Sequence, residues 1–80
     1  MKILIQESAR KDLRKIDKKK ALKILNNLSN LEVYPKVTNI KKLKNFYPPL
    51  RYRIGEYRVL FDIQDGEILV VNIKHRKEAY

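Results

Sequence analysis

The chain has no cysteine, no tryptophan, a single histidine and only two glycines. Without cysteine it forms neither disulfides nor thiolate metal sites, and one histidine is no basis for a cluster of imidazole ligands, so no metal and no cofactor are expected. The absence of cysteine fits a cytoplasmic location. No apolar run approaches the roughly 18 residues that cross a bilayer, and the amino terminus lacks a signal-peptide apolar segment, so neither a membrane protein nor a visibly secreted one is expected. Acids are scarce too: 9 Asp+Glu face 19 Lys+Arg, a net charge of +10. Eighty residues suffice for one domain, residues 1–80, with a modest core. A field this positive attracts polyanions: RNA, DNA, an anionic membrane surface or an acidic protein.

The most informative stretch is Leu50 to Arg58, where apolar and basic residues alternate before a turn at Gly55-Glu56. Period-two alternation closed by two residues, the first a glycine able to take positive φ, predicts a β-hairpin. That turn sets Ile54 opposite Tyr57, Arg53 opposite Arg58 and Tyr52 opposite Val59, with Arg51 on the face of the two paired arginines. Like charges directly opposite each other are disfavoured in a sheet, by about 1 kcal/mol at water-like screening and about 3 at an effective dielectric near 20. Two readings fit: an anion such as a phosphate sits between the guanidinia, or three long cations splay into water.

Lys2 to Gln6, with Ile3, Leu4 and Ile5 in succession, predicts an interior strand because it is apolar on both sides. Ser8 offers an N-cap to a short amphipathic helix carrying Ala9, Leu13 and Ile16. Asp17 offers another to a helix ending near Glu32, with an apolar stripe of Ala21, Ile24, Leu25, Leu28 and Leu31. The lysines on both helices read as a solvated face that also adds to the steering field. Pro35 to Tyr47 predicts a lysine-rich loop, and Pro48-Pro49 belongs just outside the next strand.

Past Arg58 the strand continues to Asp65-Gly66, the strongest hairpin turn in the sequence, and returns over Glu67 to Lys74. Counting back from that turn pairs Ile63 with Ile68, Phe61 with Val70, Leu60 with Val71 and Arg58 with Ile73. One face then carries Tyr52, Ile54, Tyr57, Val59, Phe61, Ile63, Ile68 and Val70 and seats the helices. The other mixes Arg51, Arg53, Arg58 and Asp62 with Leu60, Leu69, Val71 and Ile73. That face can hold an anion at its basic end and a partner's apolar segment at the other. The register also brings the tail, His75-Arg76-Lys77-Glu78-Ala79-Tyr80, beside the arginine pair.

Arginines stabilise charge on a phosphate, a histidine exchanges protons near neutral pH, and a tyrosine stacks or donates a proton. This set suits metal-free RNA cleavage, in which the ribose 2′-hydroxyl attacks its own phosphate. With Asp62 the one acid on that face, the carboxylate cluster of a two-metal nuclease is not evident. The other reading leaves His75 capping a strand end or in solvent.

The Lys-Asp-Leu-Arg-Lys-Ile first helix, Lys42-Leu43-Lys44, the Tyr52 to Val59 hairpin and the His75 to Tyr80 tail, in this order, resemble the RelE/ParE toxin superfamily. The resemblance implies an α+β fold in βααβββ order, a two-helix hairpin on a small antiparallel-rich sheet. It implies a toxin of a type II toxin-antitoxin system, neutralised by a cognate antitoxin whose apolar segment covers the sheet face and helices. RelE-like members are implied to be ribosome-dependent endoribonucleases that cut messenger RNA in the decoding site and block translation. On that resemblance Arg53, Arg58, Arg76, Tyr80 and His75 are candidate catalytic residues, and Arg51, Lys42, Lys44, Lys74 and Lys77 candidate RNA-binding ones. Arg51 and Arg53 stand where the family commonly has lysines or arginines. Two other readings share the composition: a ParE-like toxin that inhibits DNA gyrase by binding, and a non-catalytic basic RNA-binding module.

Overall fold

The computed structural model describes residues 1–78. In chain order it runs β1 (Lys2–Ile5), α1 (Glu7–Arg14), α2 (Lys18–Leu28), a 3-10 turn (Ser29–Val33), β2 (Ile40–Lys42), β3 (Leu50–Ile54), β4 (Tyr57–Gln64) and β5 (Glu67–His75). The strands form one sheet in the order β1-β5-β4-β3-β2, with β1 parallel to β5 and the other pairs antiparallel. The α+β architecture is as expected, with one strand more than expected.

Both turns form where the sequence places them. Gly55 takes φ +58°, while Asp65 and Gly66 take φ +52° and +76°, the two positive values that a type I′ turn requires. The hairpin register at Arg53↔Arg58 is also as expected. Phe61, Val59, Ile68 and Val70 are fully buried beneath Ala9, Ile24, Leu28 and Leu31 of the helical layer. Tyr34 packs edge-on against Phe61, ring centroids 6.1 Å apart.

Four expectations are corrected. The first strand is an edge strand, hydrogen-bonded only to β5. It is apolar on both sides because Ile3 and Ile5 face the helices beside Ile68 and Val70, while Leu4 meets Leu69 on the opposite face. Second, Ile40–Lys42, within the expected loop, pairs with β3 and becomes the other edge. Third, β5 carries one extra residue opposite the Leu60/Phe61 step, so Leu60 faces Asn72, Arg58 faces Lys74 and Tyr57 faces His75. A bulge of this kind reverses the side-chain alternation beyond it, which turns Ile73 into the core and Lys74 onto the arginine face. Fourth, neither helix has the side-chain cap that Ser8 and Asp17 suggest, and the α1 cap position is Gln6.

Ser8 serves the sheet instead. Beyond Ile5 no strand continues along β5, and α1 takes over that edge: Gln6 N–H donates to Val70 O, the Ser8 hydroxyl to Val71 O, and Ile73 N–H to Asp12 Oδ2 at 2.9 Å. Asp12 also accepts from Asn72 Nδ2 and Lys74 Nζ, each at 3.4 Å. A backbone donor stripped of its partner costs about 1–3 kcal/mol, so Asp12→Ala is expected to destabilise the fold by that amount in urea unfolding, with loss of hydrogen-exchange protection at Ile73. Asp17→Ala removes no such bond and is expected to change stability by about 0.5 kcal/mol or less.

Candidate anion-binding face

The pleat of β3 buries Leu50, Tyr52 and Ile54 and leaves Arg51 and Arg53 on the face away from the helices. Two cross-strand rows of side chains follow from the register. One is Arg53 on β3, Arg58 on β4 and Lys74 on β5; the other is Lys41 on β2, Arg51 on β3, Leu60 on β4 and Asn72 on β5. Leu60 is buried, so the cations stand around a small apolar floor. The tail then turns back over the hairpin, where Arg76 N–H donates to Glu56 O at 2.7 Å.

Arg58 is the centre of this arrangement. Its guanidinium is half-buried and folds over the turn, Nη1 donating to the carbonyls of Gly55 and Tyr57 at 3.2 Å each. Desolvation first, then the positive charges of Arg51, Arg53 and Arg76, push its pKa below the usual arginine range. It remains a cation at neutral pH, since a guanidinium does not deprotonate there. A base whose pKa falls on folding costs stability at every pH below the depressed value, so the strain persists across the physiological range and is relieved by an anion rather than by pH.

The surrounding acids are placed so that they do not relieve it. Glu56 sits 3.7 Å from Arg76 and 3.5 Å from His75, and Asp12 sits 3.4 Å from Lys74. Asp62 accepts from Ile63 N–H at 2.8 Å and from the Gln64 amide. Among the described residues no carboxylate lies within ion-pair distance of Arg51, Arg53 or Arg58. The described residues also contain no group of His, Asp and Glu able to hold a metal ion.

The predicted site residues divide as follows. Arg51, Arg53, Arg58 and Arg76 come together, while Lys74 is opposite Arg58 in the register with its ammonium 3.4 Å from Asp12. His75, expected at the same end of the same face, is turned to the helix side by the bulge. There it packs edge-on against Tyr57 at 5.3 Å, with Nδ1 accepting from Lys77 N–H at 3.2 Å. It lines a groove of about 310 Å³ with Asp12, Ile16, Tyr57 and Lys74, at the edge where the Lys74 ammonium meets Asp12. Lys42 pairs with Leu50, a residue of the helix face, whereas Lys41 pairs with Arg51. Lys41 is therefore the β2 lysine of the arginine face, and it was missed because the strand itself was missed. Lys44 and Lys77 are exposed, and Tyr80 lies outside the described residues.

A family model described as the ParE toxin of type II toxin-antitoxin system, parDE, matches residues 3–80. Toxin RelE3 of Methanocaldococcus jannaschii is 28% identical over 89 residues, covering 100% of this chain and 96% of the relative. The fold is similar to that in the archaeal RelE-RelB complex from Pyrococcus horikoshii OT3, with TM-score 0.75, 25% identity, and 98% and 97% of the two chains covered. It is also similar to that in the RelB-RelE antitoxin-toxin complex from Methanococcus jannaschii, with TM-score 0.75, 22% identity, and 96% and 94% covered. The intact E. coli RelBE complex gives TM-score 0.72 at 18% identity, with 92% and 94% covered.

The unrelieved charge has a measurable consequence. Millimolar pyrophosphate is expected to raise the melting temperature, and Arg53→Gln is expected to reduce that rise. Because Arg53 is exposed and opposes Arg58, the same substitution is expected to leave basal stability unchanged or raise it by up to about 1 kcal/mol. Equal stabilisation of parent and variant by pyrophosphate would show that the anion binds elsewhere.

Proposed function

The chain belongs to the ParE toxin family of type II toxin-antitoxin systems, within the RelE/ParE superfamily, and on that premise we propose that it is a ribosome-dependent endoribonuclease. In this reading it cuts messenger RNA in the ribosomal A site and so blocks translation in the cytoplasm. The observation that supports the reading is the cluster of Arg51, Arg53 and Arg58, flanked by Lys74 and Arg76, with no carboxylate among the described residues paired to those three guanidinia.

Such a face holds a scissile phosphate and stabilises the extra negative charge that develops when the adjacent 2′-oxygen attacks phosphorus. The substrate supplies the nucleophile. The 2′-oxygen to phosphorus bond forms, the bond to the 5′-oxygen breaks, and the products are a 2′,3′-cyclic phosphate and a free 5′-hydroxyl. A proton leaves the 2′-hydroxyl and one reaches the departing oxygen. Lys74 is the amine that the register sets next to Arg58, and with His75 on the other face it becomes a candidate for proton exchange alongside Tyr80.

A type II toxin has an antitoxin, and the same face offers that partner a target: acidic groups for the arginines and apolar ones for the half-buried Leu4 and Leu69. Gyrase inhibition by binding is the competing activity on this fold, since fold does not select between them.

Two assays on one preparation separate the readings: mapping of message ends in cell-free translation and gyrase supercoiling. Cleavage within ribosome-bound codons, with supercoiling unaffected, is expected; inhibited supercoiling with intact message would overturn the proposal. Arg58→Ala and Arg76→Ala are each expected to lower cleavage at least tenfold, about 1.4 kcal/mol in barrier. Their melting temperatures, measured in parallel, separate a lost contact from a lost fold.

A further inference from the structure

The turn between β3 and β4 puts a carboxylate, Glu56, at the rim of the arginine cluster. Tyr57 pairs with His75, so the next residues out, Glu56 and Arg76, meet just beyond the ends of their strands. Three contacts tie the tail to Glu56. Arg76 N–H donates to Glu56 O at 2.7 Å, Arg76 Nη2 lies 3.7 Å from Glu56 Oε1, and His75 Nε2 lies 3.5 Å from Glu56 Oε2. Among the described residues, Glu56 is the one carboxylate within ion-pair distance of Arg76.

Arg58 reaches the same turn from its own strand. Its guanidinium folds onto the carbonyls of Gly55 and Tyr57, close enough to Arg76 that the two charges repel. A second guanidinium is therefore held near the first against that repulsion, on a residue that has left the sheet. The Arg76 and Glu56 side chains are 57% and 56% exposed, and an ion pair in such surroundings adds little to the stability of a fold. What the pair does fix is the direction in which the Arg76 guanidinium points.

We propose that Glu56 is a positioning residue for Arg76: one carboxylate oxygen directs the guanidinium toward the anion that Arg58 attracts, while the other rests against His75. The proposal deepens the RNA-cleavage reading of the arginine face, on which it rests, by naming the group that sets its tail arginine. A carboxylate in this place acts on binding and on reaction with opposite signs. As a negative charge beside an anion site it opposes the phosphate of the bound substrate. By holding Arg76 ready it favours the transition state, where donors already in place stabilise the developing charge at no cost of reorganisation.

Glu56→Gln keeps the length of the side chain and the backbone bond to Arg76 and removes the charge. In single-turnover cleavage of message on programmed ribosomes, the variant is expected to react about fivefold more slowly at saturating toxin. Its half-saturating concentration is expected to equal the parent's or fall below it, with an unchanged melting temperature. In an Arg76→Ala background the same substitution is expected to change the rate less than about twofold, because the carboxylate then has no guanidinium to direct. A parent-like rate, a raised half-saturating concentration, or a fivefold loss that persists without Arg76 would overturn the proposal. Pyrophosphate gives a readout that needs no cleavage. Glu56→Gln frees Arg76 for the anion, so the rise in melting temperature with pyrophosphate is expected to be larger than the parent's, and this gain to shrink by at least about half when Arg76 is also replaced by Ala. Uncut message with that coupled gain removes the nuclease reading and leaves the link between Glu56 and Arg76 standing; cleavage by the parent without the coupling does the reverse.

Discussion

The working end of the molecule depends on how the last strand keeps its hydrogen bonds after its parallel neighbour has ended. β1 stops at Ile5, opposite Val70, and β5 runs on to His75. Its outer N–H and C=O groups would be left without partners, and a buried group in that state is costly. Gln6 at the cap of α1 and Ser8 and Asp12 within it meet them, so the helix substitutes for a strand. The bulge lies in this same stretch, where the edge is served by side chains and no ladder enforces a strict alternation. Its effect reaches the site, since the one extra residue decides that Lys74 is set opposite Arg58 and His75 opposite Tyr57.

That dependence explains what was legible in the sequence and what was not. Gly55-Glu56 and Asp65-Gly66 announce their turns because positive φ restricts residue choice sharply. The Arg53–Arg58 pairing and the buried face follow from those turns by counting. The bulge has no such signature, because Val71 and Asn72 are ordinary strand residues, and the group that binds the backbone just beyond it, Asp12, lies some sixty positions earlier. Counting outward from Asp65-Gly66 therefore holds as far as Phe61 and fails at Leu60. β2 escaped because three residues among lysines and asparagines carry no periodicity, and their pairing is imposed by the neighbouring edge of β3. The edge position of β1 escaped for another reason: two apolar faces read as interior, although a strand can be covered on both faces and still lack a second neighbour.

The distribution of charge argues against a merely solvated basic surface. On the rim of the face the cations have partners, Lys74 with Asp12 and Arg76 with Glu56. At its centre Arg51, Arg53 and Arg58 have none, although Arg58 is half-buried and its pKa is depressed by the others. Ion pairs at an exposed rim add little stability, whereas a half-buried cation such as Arg58 left without an opposite charge carries an uncompensated cost, so stability alone does not account for this order. The carboxylates are spent where they matter least to the charge and most to the geometry: Asp12 fixes β5 and Lys74, Glu56 fixes the tail.

A centre left short of negative charge is a site whose ligand completes the electrostatics. The same property serves both of the partners expected of a type II toxin. On the proposed reading a phosphate diester would enter as the missing anion, and a face of fixed positive charge would favour the more negative transition state over the ground state. An acidic antitoxin segment would fill the same deficit without reacting. On that reading competition between the two would need no conformational switch: it would follow from one concentration of positive charge, held by a hairpin on one side and by α1 on the other.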